Sequence, residues 1–406
     1  VMRLVGSEMC IRDRFSPDPF SKNTFLILFL MKKINMVDLN GQYRKIRWQV
    51  NREIKKVIKS SSFINGPSVK EFQSNLENYL GVRHVIPCAN GTDALQVALM
   101  SLNLKKGDEV ITTNFSFAST IEVILLLGLK PVLVDIDPKT FNLNTSLIKS
   151  KINDKTKAII PVHLFGQTCD MEKIVEIANK YNLYVIEDNA QALGSKYKFS
   201  NSKKQFAGTI GDISTTSFFP SKNLGCYGDG GAIITNSDNL AYKLRGLVNH
   251  GMYERYYHDE VGVNSRLDSI QAAILNVKLK YLDKYNNRRQ HSAKLYNEAL
   301  NKFESIETPF VESDPDTHVY HQYTLKVKDG KRDDLAEHLL NNNIPFGIYY
   351  PLGFHEQKAY KQEFTNDKDF PVTNKVKNEV ISLPMHTELS KSQIKYITNT
   401  ISSFFE

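Results

Sequence analysis

The stretch Thr216–Ala232, TSFFPSKNLGCYGDGGA, holds a single lysine, Lys222, between an apolar lead-in and a run of glycines. Glycines let the backbone bend closely around a bound group, because they carry no side chain to obstruct it. A lysine that is partly removed from water in such a turn can lose its proton near neutral pH and attack a carbonyl carbon. A solvated loop lysine is the commoner situation, so this interpretation depends on the rest of the chain.

Upstream of this stretch, short apolar runs alternate with segments of helical spacing. That alternation predicts right-handed crossovers and an α/β fold, in which helices cover both faces of a mostly parallel sheet. The predicted strands are His84–Ala89, Glu109–Thr113, Pro131–Asp135, Ala158–His163 and Tyr184–Glu187. The predicted helices between them are Ala94–Leu102, Ser116–Leu127, Thr145–Lys151 and Cys169–Lys180.

Polar residues fall at the carboxyl ends of the predicted strands, where ligands of such sheets collect. They are Asp135, His163, Asp188 and Gln191. The turn Asn90–Asp93 adds a helix N-terminus, whose unpaired N–H groups and dipole attract an anion. A plain helix cap favours the same residue types, so the turn alone leaves both interpretations open.

The second half of the chain contains a long polar and aromatic loop, Asn249–Arg266. It is longer than a simple connection needs, which is typical of functional loops. A predicted helix, Leu267–Leu282, follows, and then a charged stretch in which we place the domain boundary. We expect a large domain at residues 31–285 and a smaller C-terminal α+β domain at residues 286–406.

Composition narrows the class of protein. The 406 residues suffice for two or three domains, and 41% hydrophobic and 24% charged residues are ordinary for a globular protein. The net charge of +8 is spread along the chain, so no nucleic-acid-binding arm is indicated. No apolar run reaches the roughly 18 residues of a membrane-spanning helix. The cysteines are widely separated, which predicts neither a metal site nor disulfides and fits a cytoplasmic location.

The first thirty residues require separate treatment. Phe25–Met31 is a short apolar run followed by lysines, unlike a signal peptide with its cleavage site. Gly6–Asp13, GSEMCIRD, resembles the translation of a transposase adaptor used in sequencing libraries. We therefore expect residues 1–30 to be a non-native leader and the natural start to be Met31 or Met36.

A nucleophilic lysine, an anion-binding turn and an aspartate at a strand end are the three features that pyridoxal phosphate requires. The lysine binds the aldehyde, the turn holds the phosphate, and the carboxylate keeps the pyridine nitrogen protonated. Asp188 matches the last role, although a solvated aspartate that opens a turn is a common alternative. The first strand is not followed by G-x-G-x-x-G, so a nicotinamide cofactor is not indicated.

Four motifs extend this interpretation, each weak alone but specific together: NGTDAL (Asn90–Leu95), IEDNAQA (Ile186–Ala192), SFFPSKNLG (Ser217–Gly225) and GVNSRLDSIQAAIL (Gly262–Leu275). With them the chain resembles the sugar aminotransferases of the DegT/DnrJ/EryC1/StrS family from Val37 to Met385. The resemblance implies the aspartate-aminotransferase-like (type I) fold, with a mostly parallel seven-stranded sheet in its large domain. It also implies a homodimer with active sites at the interface.

The resemblance implies a role for each matching residue. Lys222 would hold the cofactor and move protons, Asp188 would pair with the pyridine nitrogen, and Gln191 would approach the ring oxygen. Phe117 would stack on the ring unless it packs in the core, and Asn264 would reach the phosphate in the neighbouring subunit. The phosphate would otherwise be bound by Gly91, Thr92, Asp93 and Ser217.

The implied reaction moves an amino group from L-glutamate to a keto group of a nucleotide-diphosphate sugar, for surface polysaccharide, lipopolysaccharide or glycoconjugates. Family members that dehydrate sugars carry a histidine at the lysine position, and Lys222 argues against that reaction. A cofactor-binding regulator would need an added DNA-binding module, and no helix-turn-helix extension is visible.

The sugar is less well specified. The segment from Val261 to Asp283, followed by the motif NNRR, is more similar to family members that aminate C3 than to those that aminate C4. We expect a dTDP-linked 3-keto-6-deoxyhexose first and a UDP-linked 3-keto sugar second. The candidate contacts are three cations for the diphosphate and one histidine for a sugar hydroxyl: Arg255, Arg266, Lys278 and His321. Ordinary surface charge, or a packed histidine, is the alternative for each.

Overall fold

A seven-stranded sheet organises the part of the chain that this computed structural model describes, namely residues 33–311, 314–361 and 367–406. The first nine strands are β1 (His84–Cys88), β2 (Glu109–Thr113), β3 (Lys130–Val134), β4 (Thr156–Ile160), β5 (Tyr184–Asp188), β6 (Lys196–Lys198), β7 (Lys204–Phe206), β8 (Ile213–Ser217) and β9 (Gly231–Thr235). The central sheet has the order β1, β9, β8, β5, β4, β2, β3, while β6 and β7 pair with each other. Only β9 runs against its neighbours in this sheet. The expected mostly parallel α/β fold is confirmed.

Helices cover this sheet and continue into the C-terminal part of the chain. Those of the described residues are α1 (Leu39–Ser60), α2 (Pro67–Leu80), α3 (Gly91–Ser101), α4 (Ser119–Leu126), α5 (Met171–Tyr181), α6 (Asp238–Leu247), α7 (Ser269–Leu279), α8 (Leu282–Leu300), α9 (Arg332–Asn341), α10 (Pro371–Val376) and α11 (Lys391–Phe405). The helix predicted over Thr145–Lys151 is instead two short 3-10 turns. Such a short polar segment gains too few hydrogen bonds to offset the cost of starting an α-helix.

The C-terminal part is built on a second, antiparallel sheet of β12 (Ile306–Glu307), β13 (Tyr323–Val327) and β14 (Val380–Leu383). It follows a short hairpin of β10 (Met252–Glu254) and β11 (Tyr257–His258) in the long loop. The expected boundary between residues 285 and 286 lies inside α8, so a helix rather than a loop crosses it. The division into two domains remains a prediction.

The sheet brings the candidate residues together at one edge. Asp188 ends β5, Ser217 ends β8, and the two strands pair in parallel, so their carboxyl ends are adjacent. Buried apolar residues of α3, including Leu95 and Leu99, pack on the same sheet. That packing fixes the N-terminus of α3 beside the end of β8.

Two features are absent from the described residues. Within those ranges, no helix is both long and apolar enough to cross a membrane. Over the same ranges, no group of three or more His, Cys, Asp or Glu residues is arranged to hold a metal ion. Residues 1–30, for which we expect a non-native leader, lie outside the described part of the chain.

Candidate active site

Lys222 lies in the turn that follows β8. Its backbone N–H donates to the carbonyl of Phe219 at 2.8 Å, which closes the turn around Pro220. Burial lowers the pKa of the Lys222 amine to about 8, while the negative charge of Asp188 acts in the opposite direction. Among the described residues, no carboxylate lies within ion-pair distance of this amine. A substantial fraction of Lys222 is therefore neutral and nucleophilic at mildly alkaline pH.

Asp188 is a buried carboxylate, with only 4% of its surface exposed. Thr120 Oγ1 donates to its Oδ2 at 2.9 Å, and the backbone N–H of Ala190 donates to its Oδ1 at 3.2 Å. Burial raises the pKa of Asp188, and these two hydrogen bonds and the positive charge of Lys222 oppose that effect. A further cation against this carboxylate would favour its ionised form, and a protonated pyridine nitrogen is such a cation.

The buried residues His163 and Glu187, the latter next to Asp188 along the chain, form a hydrogen-bonded pair. The N–H of Cys169 donates to Nδ1 of His163 at 3.0 Å, so the proton of the neutral ring is on Nε2 and points at Glu187, 2.9 Å away. The same carboxylate accepts three backbone N–H groups from residues 208–211, each at 2.7 Å. Both ring nitrogens of His163 are therefore used in hydrogen bonds within the protein, and neither is available to a ligand.

Asp135, the other acidic residue expected at a strand end, also has a structural role. Its carboxylate accepts the backbone N–H groups of Val372 and Thr373 and the hydroxyl of Thr373, at 2.7 to 3.0 Å. These N–H groups belong to the first turn of α10, where no carbonyl of the helix can reach them. Asp135 therefore caps a helix of the C-terminal part of the chain.

The N-terminus of α3 is the turn expected to form an anion cradle. The backbone N–H groups of Gly91 and Thr92 lie in the first turn, where they have no partner within the helix. A Cβ at Gly91 would lie 2.8 Å from Cβ of Ser217, so the absence of a side chain lets the Ser217 hydroxyl approach this turn. The N–H of Asp93 is already donated to Oδ1 of Asn90 at 2.8 Å. Of the expected phosphate-binding residues, Gly91, Thr92 and Ser217 therefore have the better geometry.

Gln191 is held by two contacts next to Asp188. Its Oε1 accepts the N–H of Phe165 at 2.7 Å, and its Nε2 donates to the hydroxyl of Tyr350 at 3.2 Å. Burial raises the pKa of Tyr350, which lies near enough to Asp188 to be affected by its charge. The sequence analysis missed both Tyr350 and Thr120. The NFSFAST segment that includes Phe117 ends in Thr120 and could have indicated it, whereas no motif marked Tyr350.

Phe117 and Asn264, two residues implied by the family resemblance, are both exposed. Phe117 is 58% exposed, so the alternative of core packing does not hold for it. Asn264 pairs with Asn249 through an isolated β-bridge in the long loop. Each side chain is therefore open to a ligand or to a second subunit.

The four residues expected to contact the sugar nucleotide have different environments. Arg255 is exposed in the β10–β11 hairpin and donates to the hydroxyl of Tyr256 at 3.1 Å. Arg266 is half-buried and donates to Oδ1 of Asn249 at 3.5 Å. His321 is buried, and its Nδ1 has no hydrogen-bond partner among the described residues. Burial lowers the pKa of His321, and the positive charges of Lys222 and Arg289 lower it further.

The structure corrects the expectation for Lys278. This lysine is only 1% exposed, its Nζ donates to the carbonyl of Gly225, and it lies 5.1 Å from the ring centre of Tyr227. Burial lowers its pKa to about 8. An ammonium group enclosed in this way cannot reach the diphosphate of a substrate in solvent. It braces the loop that carries Lys222 instead.

Taken together, these groups fit pyridoxal phosphate. Lys222 offers an amine of lowered pKa for the aldehyde, and Asp188 offers a buried carboxylate that gains from a cation. The turn at Gly91 and Thr92 and the hydroxyl of Ser217 offer donors for the phosphate. Their strand and helix ends meet at one edge of the sheet, as the binding of a single ligand requires.

Comparison with known sequences gives relatives over nearly the whole chain. A "Pleiotropic regulatory protein" of Geobacillus stearothermophilus is 43% identical over 92% of this chain and 98% of its own. The "UDP-2-acetamido-2-deoxy-3-oxo-D-glucuronate aminotransferase" of Pseudomonas aeruginosa is 42% identical over 91% of this chain and 100% of its own. The "dTDP-3-amino-3,6-dideoxy-alpha-D-galactopyranose transaminase" of Aneurinibacillus thermoaerophilus is 38% identical over 91% and 98%.

Solved structures and a family model agree with these relatives. The S. venezuelae protein DesV superposes with a TM-score of 0.88 at 33% identity, over 93% of this chain and 99% of DesV. NtdA from Bacillus subtilis, solved with bound cofactor PMP, has a TM-score of 0.82 at 32% identity, over 89% and 82%. The model of the DegT/DnrJ/EryC1/StrS aminotransferase family matches residues 44–402. The chain therefore belongs to the DegT/DnrJ/EryC1/StrS family and is a pyridoxal-phosphate-dependent sugar aminotransferase.

Proposed function

We propose that this enzyme transfers the amino group of L-glutamate to the C3 keto group of a nucleotide-diphosphate sugar. One observation carries the proposal: a lysine of lowered pKa, a buried aspartate and an anion cradle meet at one edge of the sheet. The position of amination is supported by the names of the Pseudomonas and Aneurinibacillus relatives, since one contains a 3-oxo sugar and the other a 3-amino sugar.

Lys222 and Asp188 would share the chemistry. The bound cofactor supplies an electrophilic carbon and a ring that withdraws electrons from it. Lys222 would hold the cofactor at that carbon and, when its amine is free, would take a proton from one carbon and deliver it to another. Its lowered pKa suits both directions of transfer near neutral pH. Asp188 would keep the pyridine nitrogen protonated, and Thr120 and Ala190 orient its carboxylate for that role.

The remaining cofactor contacts are part of the same proposal. The N–H groups of Gly91 and Thr92, with Asp93 completing the turn, and the hydroxyl of Ser217 bind the phosphate. Gln191 approaches the ring oxygen, although its amide also contacts Phe165 and Tyr350. The exposed ring of Phe117 covers one face of the cofactor.

A homodimer would complete the site through Asn264, which reaches the phosphate of the neighbouring subunit. Large apolar side chains exposed elsewhere support such an assembly, because an isolated chain would leave them in water. Trp48 is 77% exposed, Ile64 is 50% exposed, and Tyr256 in the hairpin near Asn264 is 76% exposed. A C2 dimer that buries the hairpin would bring Asn264 of each chain toward its partner.

The nucleotide can be dTDP or UDP. The sequence led us to expect a dTDP-linked 3-keto-6-deoxyhexose, and the Aneurinibacillus relative is named for a dTDP sugar. The Pseudomonas relative, of higher identity, is named for a UDP sugar. Arg255 and Arg266 are the accessible cations of the original four candidates and suit a diphosphate, while His321 lies deeper, near Lys222.

A second candidate is a cofactor-binding regulator, which the name of the Geobacillus relative favours. The conversion of L-glutamate distinguishes a regulator from an enzyme. A regulator that only binds the cofactor would not convert L-glutamate into 2-oxoglutarate, whereas the proposed enzyme would do so once per bound cofactor even without a sugar.

The decisive experiment offers purified enzyme four acceptors with L-glutamate: dTDP- and UDP-linked sugars, each as the 3-keto and the 4-keto compound. We expect the 3-keto compounds to be aminated faster, with Lys222→Ala inactive on all four. Faster conversion of the 4-keto compounds would overturn the C3 assignment. Full turnover by Lys222→Ala would overturn the mechanism.

A further inference from the structure

Two buried asparagines connect the loop that follows Asp188 with the loop that carries Lys222. Asn286 lies on α8, and its Nδ2 donates to the carbonyl of Leu193, in the loop that follows Asp188, at 3.2 Å. Asn223 directly follows Lys222, and its Nδ2 donates to Oδ1 of Asn286 at 2.7 Å. One side chain of α8 therefore contacts both loops.

The direction of each hydrogen bond in this connection is fixed by its ends. The carbonyls of Leu193 and Val319 can only accept, so an amide nitrogen must face each of them. Asn223 Nδ2 reaches the carbonyl of Val319 at 3.0 Å, and Asn286 Nδ2 reaches that of Leu193. This leaves Oδ1 of Asn286 for Asn223. Turning either amide over would set oxygen against oxygen, so the connection has one arrangement.

The loop that follows Asp188 is shaped to admit Asn286. Gly194 has a φ of +92°, a conformation that favours glycine. A Cβ at Gly194 would lie 2.4 Å from Nδ2 of Asn286, which is closer than atoms can approach. Gly194, two residues after the IEDNAQA motif, is therefore required for the amide of Asn286 to reach the carbonyl of Leu193.

Both asparagines are removed from water, with 4% of Asn286 and 5% of Asn223 exposed. Water cannot readily replace a hydrogen bond lost at this depth, so removing one amide leaves its partners unsatisfied. The two loops can then relax only by moving relative to each other or by admitting water. We propose that Asn286 is a positioning residue that sets the Lys222 amine relative to the Asp188 carboxylate, an inference that rests on the roles proposed for those two residues.

The position of the Lys222 loop should be visible in the reactivity of its amine. The pKa of Lys222 is lowered by burial, and Asp188 and His321 are charged or titratable groups that influence or sense it. Neither residue is altered chemically when Asn286 is replaced. If the loop moves outward and water reaches the amine, the pKa of Lys222 rises by about one unit toward its ordinary value.

The test compares Asn286→Ala, Asn223→Ala and the double variant with the unchanged chain. The matched control is Asn297→Ala, which removes an asparagine of the same helix whose Oδ1 accepts from Tyr323 at 2.7 Å. The first readout is the pH at which Lys222 is half-labelled by an amine reagent in cofactor-free protein, read by mass spectrometry. The second is kcat and KM of the holoenzyme with L-glutamate and a keto sugar, and the third is urea unfolding.

We expect the half-labelling pH of Lys222 to rise by about one unit in Asn286→Ala. The kcat should fall on the order of 10- to 100-fold, as for other misplacements of reacting groups, with KM for the sugar changed less than about threefold. The effects of the two single variants should not add, because both break the same connection. Asn223→Ala tests the proposal from the other end if Asn286→Ala fails to fold.

The proposal is overturned if the Asn286 and Asn223 variants match Asn297→Ala in half-labelling pH and kcat and differ only in unfolding. That result would make Asn286 merely structural. Failure of the proposed function has a different signature, namely that the unchanged holoenzyme does not convert L-glutamate. The labelling readout needs no cofactor, so it tests the positioning role in either case.

Discussion

Replacing Lys222 by methionine should stabilise the cofactor-free protein near neutral pH. Methionine keeps an unbranched chain of similar reach but carries no charge. The native chain must keep an ammonium group in surroundings that lower its pKa from an ordinary 10.5 to about 8. Each pKa unit corresponds to about 1.4 kcal/mol, so this partly buried charge costs the folded state about 3 kcal/mol. A residue kept despite such a cost is one whose neutral form is needed for function.

The sign of the pH dependence follows from the same pKa. Below about pH 8 the amine is protonated in both the folded and the unfolded chain, so the cost is fully present. Between about pH 8 and 10.5 the unfolded chain binds more protons than the folded chain, and the free energy of unfolding of the native protein rises with pH. Lys222→Met lacks this contribution. Its advantage is therefore largest near pH 7 and shrinks as the pH rises.

Urea unfolding of the two cofactor-free proteins at equal concentration measures this advantage. Between about pH 7 and about pH 9.5 the difference should shrink by about 2 kcal/mol, and Lys395→Met, which changes an exposed lysine of α11, should show no such trend. Taking the difference in the free energy of unfolding between the two proteins also cancels the contributions of titratable groups that both contain, including Lys278. A difference that stays constant or grows over this range would refute the account of Lys222 as a desolvated amine.

Three further substitutions test the rest of the site. Asp188→Asn should still bind the cofactor covalently. The rate of its glutamate half-reaction, measured by stopped-flow absorbance, should fall by at least about two orders of magnitude. A near-native rate would show that Asp188 is not the carboxylate that pairs with the pyridine nitrogen. Thr120→Val removes a hydrogen-bond donor that lowers the pKa of Asp188. The acid limb of the plot of kcat against pH should therefore move to higher pH by up to about one unit. An acid limb that does not move would show that this hydrogen bond has no influence on the titration of Asp188. Asn264→Ala should weaken cofactor binding about tenfold by equilibrium dialysis while leaving a dimer in sedimentation, and a fully active monomer of the native chain would contradict a shared site.

The fold was largely predictable because local patterns determine it. Short apolar strands alternating with helices imply parallel pairing, and the sheet has that pairing except at β9. The segment Thr145–Lys151 was predicted wrongly to be an α-helix. Its residue types are compatible with a helix, but the segment is too short for its hydrogen bonds to offset the cost of starting one. The boundary near residue 285 was placed by charge, and a charged segment can equally be the exposed face of a helix such as α8.

The site was predictable where a motif carries the chemistry and not where it depends on distant contacts. Thr120 donates to a carboxylate 68 positions along the chain, and Tyr350 meets Gln191 across 159 positions. Such pairings follow from the assembled sheet. Lys278 was not recognisable from helical periodicity either, because α7 is buried on all sides from Ala272 to Leu279 and has no separate exposed face there.

The central claim is that Lys222 binds the cofactor. The most direct measurement adds pyridoxal phosphate to the cofactor-free protein, reduces it with borohydride, and locates the added mass by peptide mass spectrometry. We predict one modified site per chain, on the peptide that contains Lys222, and no modification at Lys278, whose amine has a similarly lowered pKa but is enclosed. Labelling at Lys278 or another lysine, or undiminished labelling of Lys222→Met, would contradict the account.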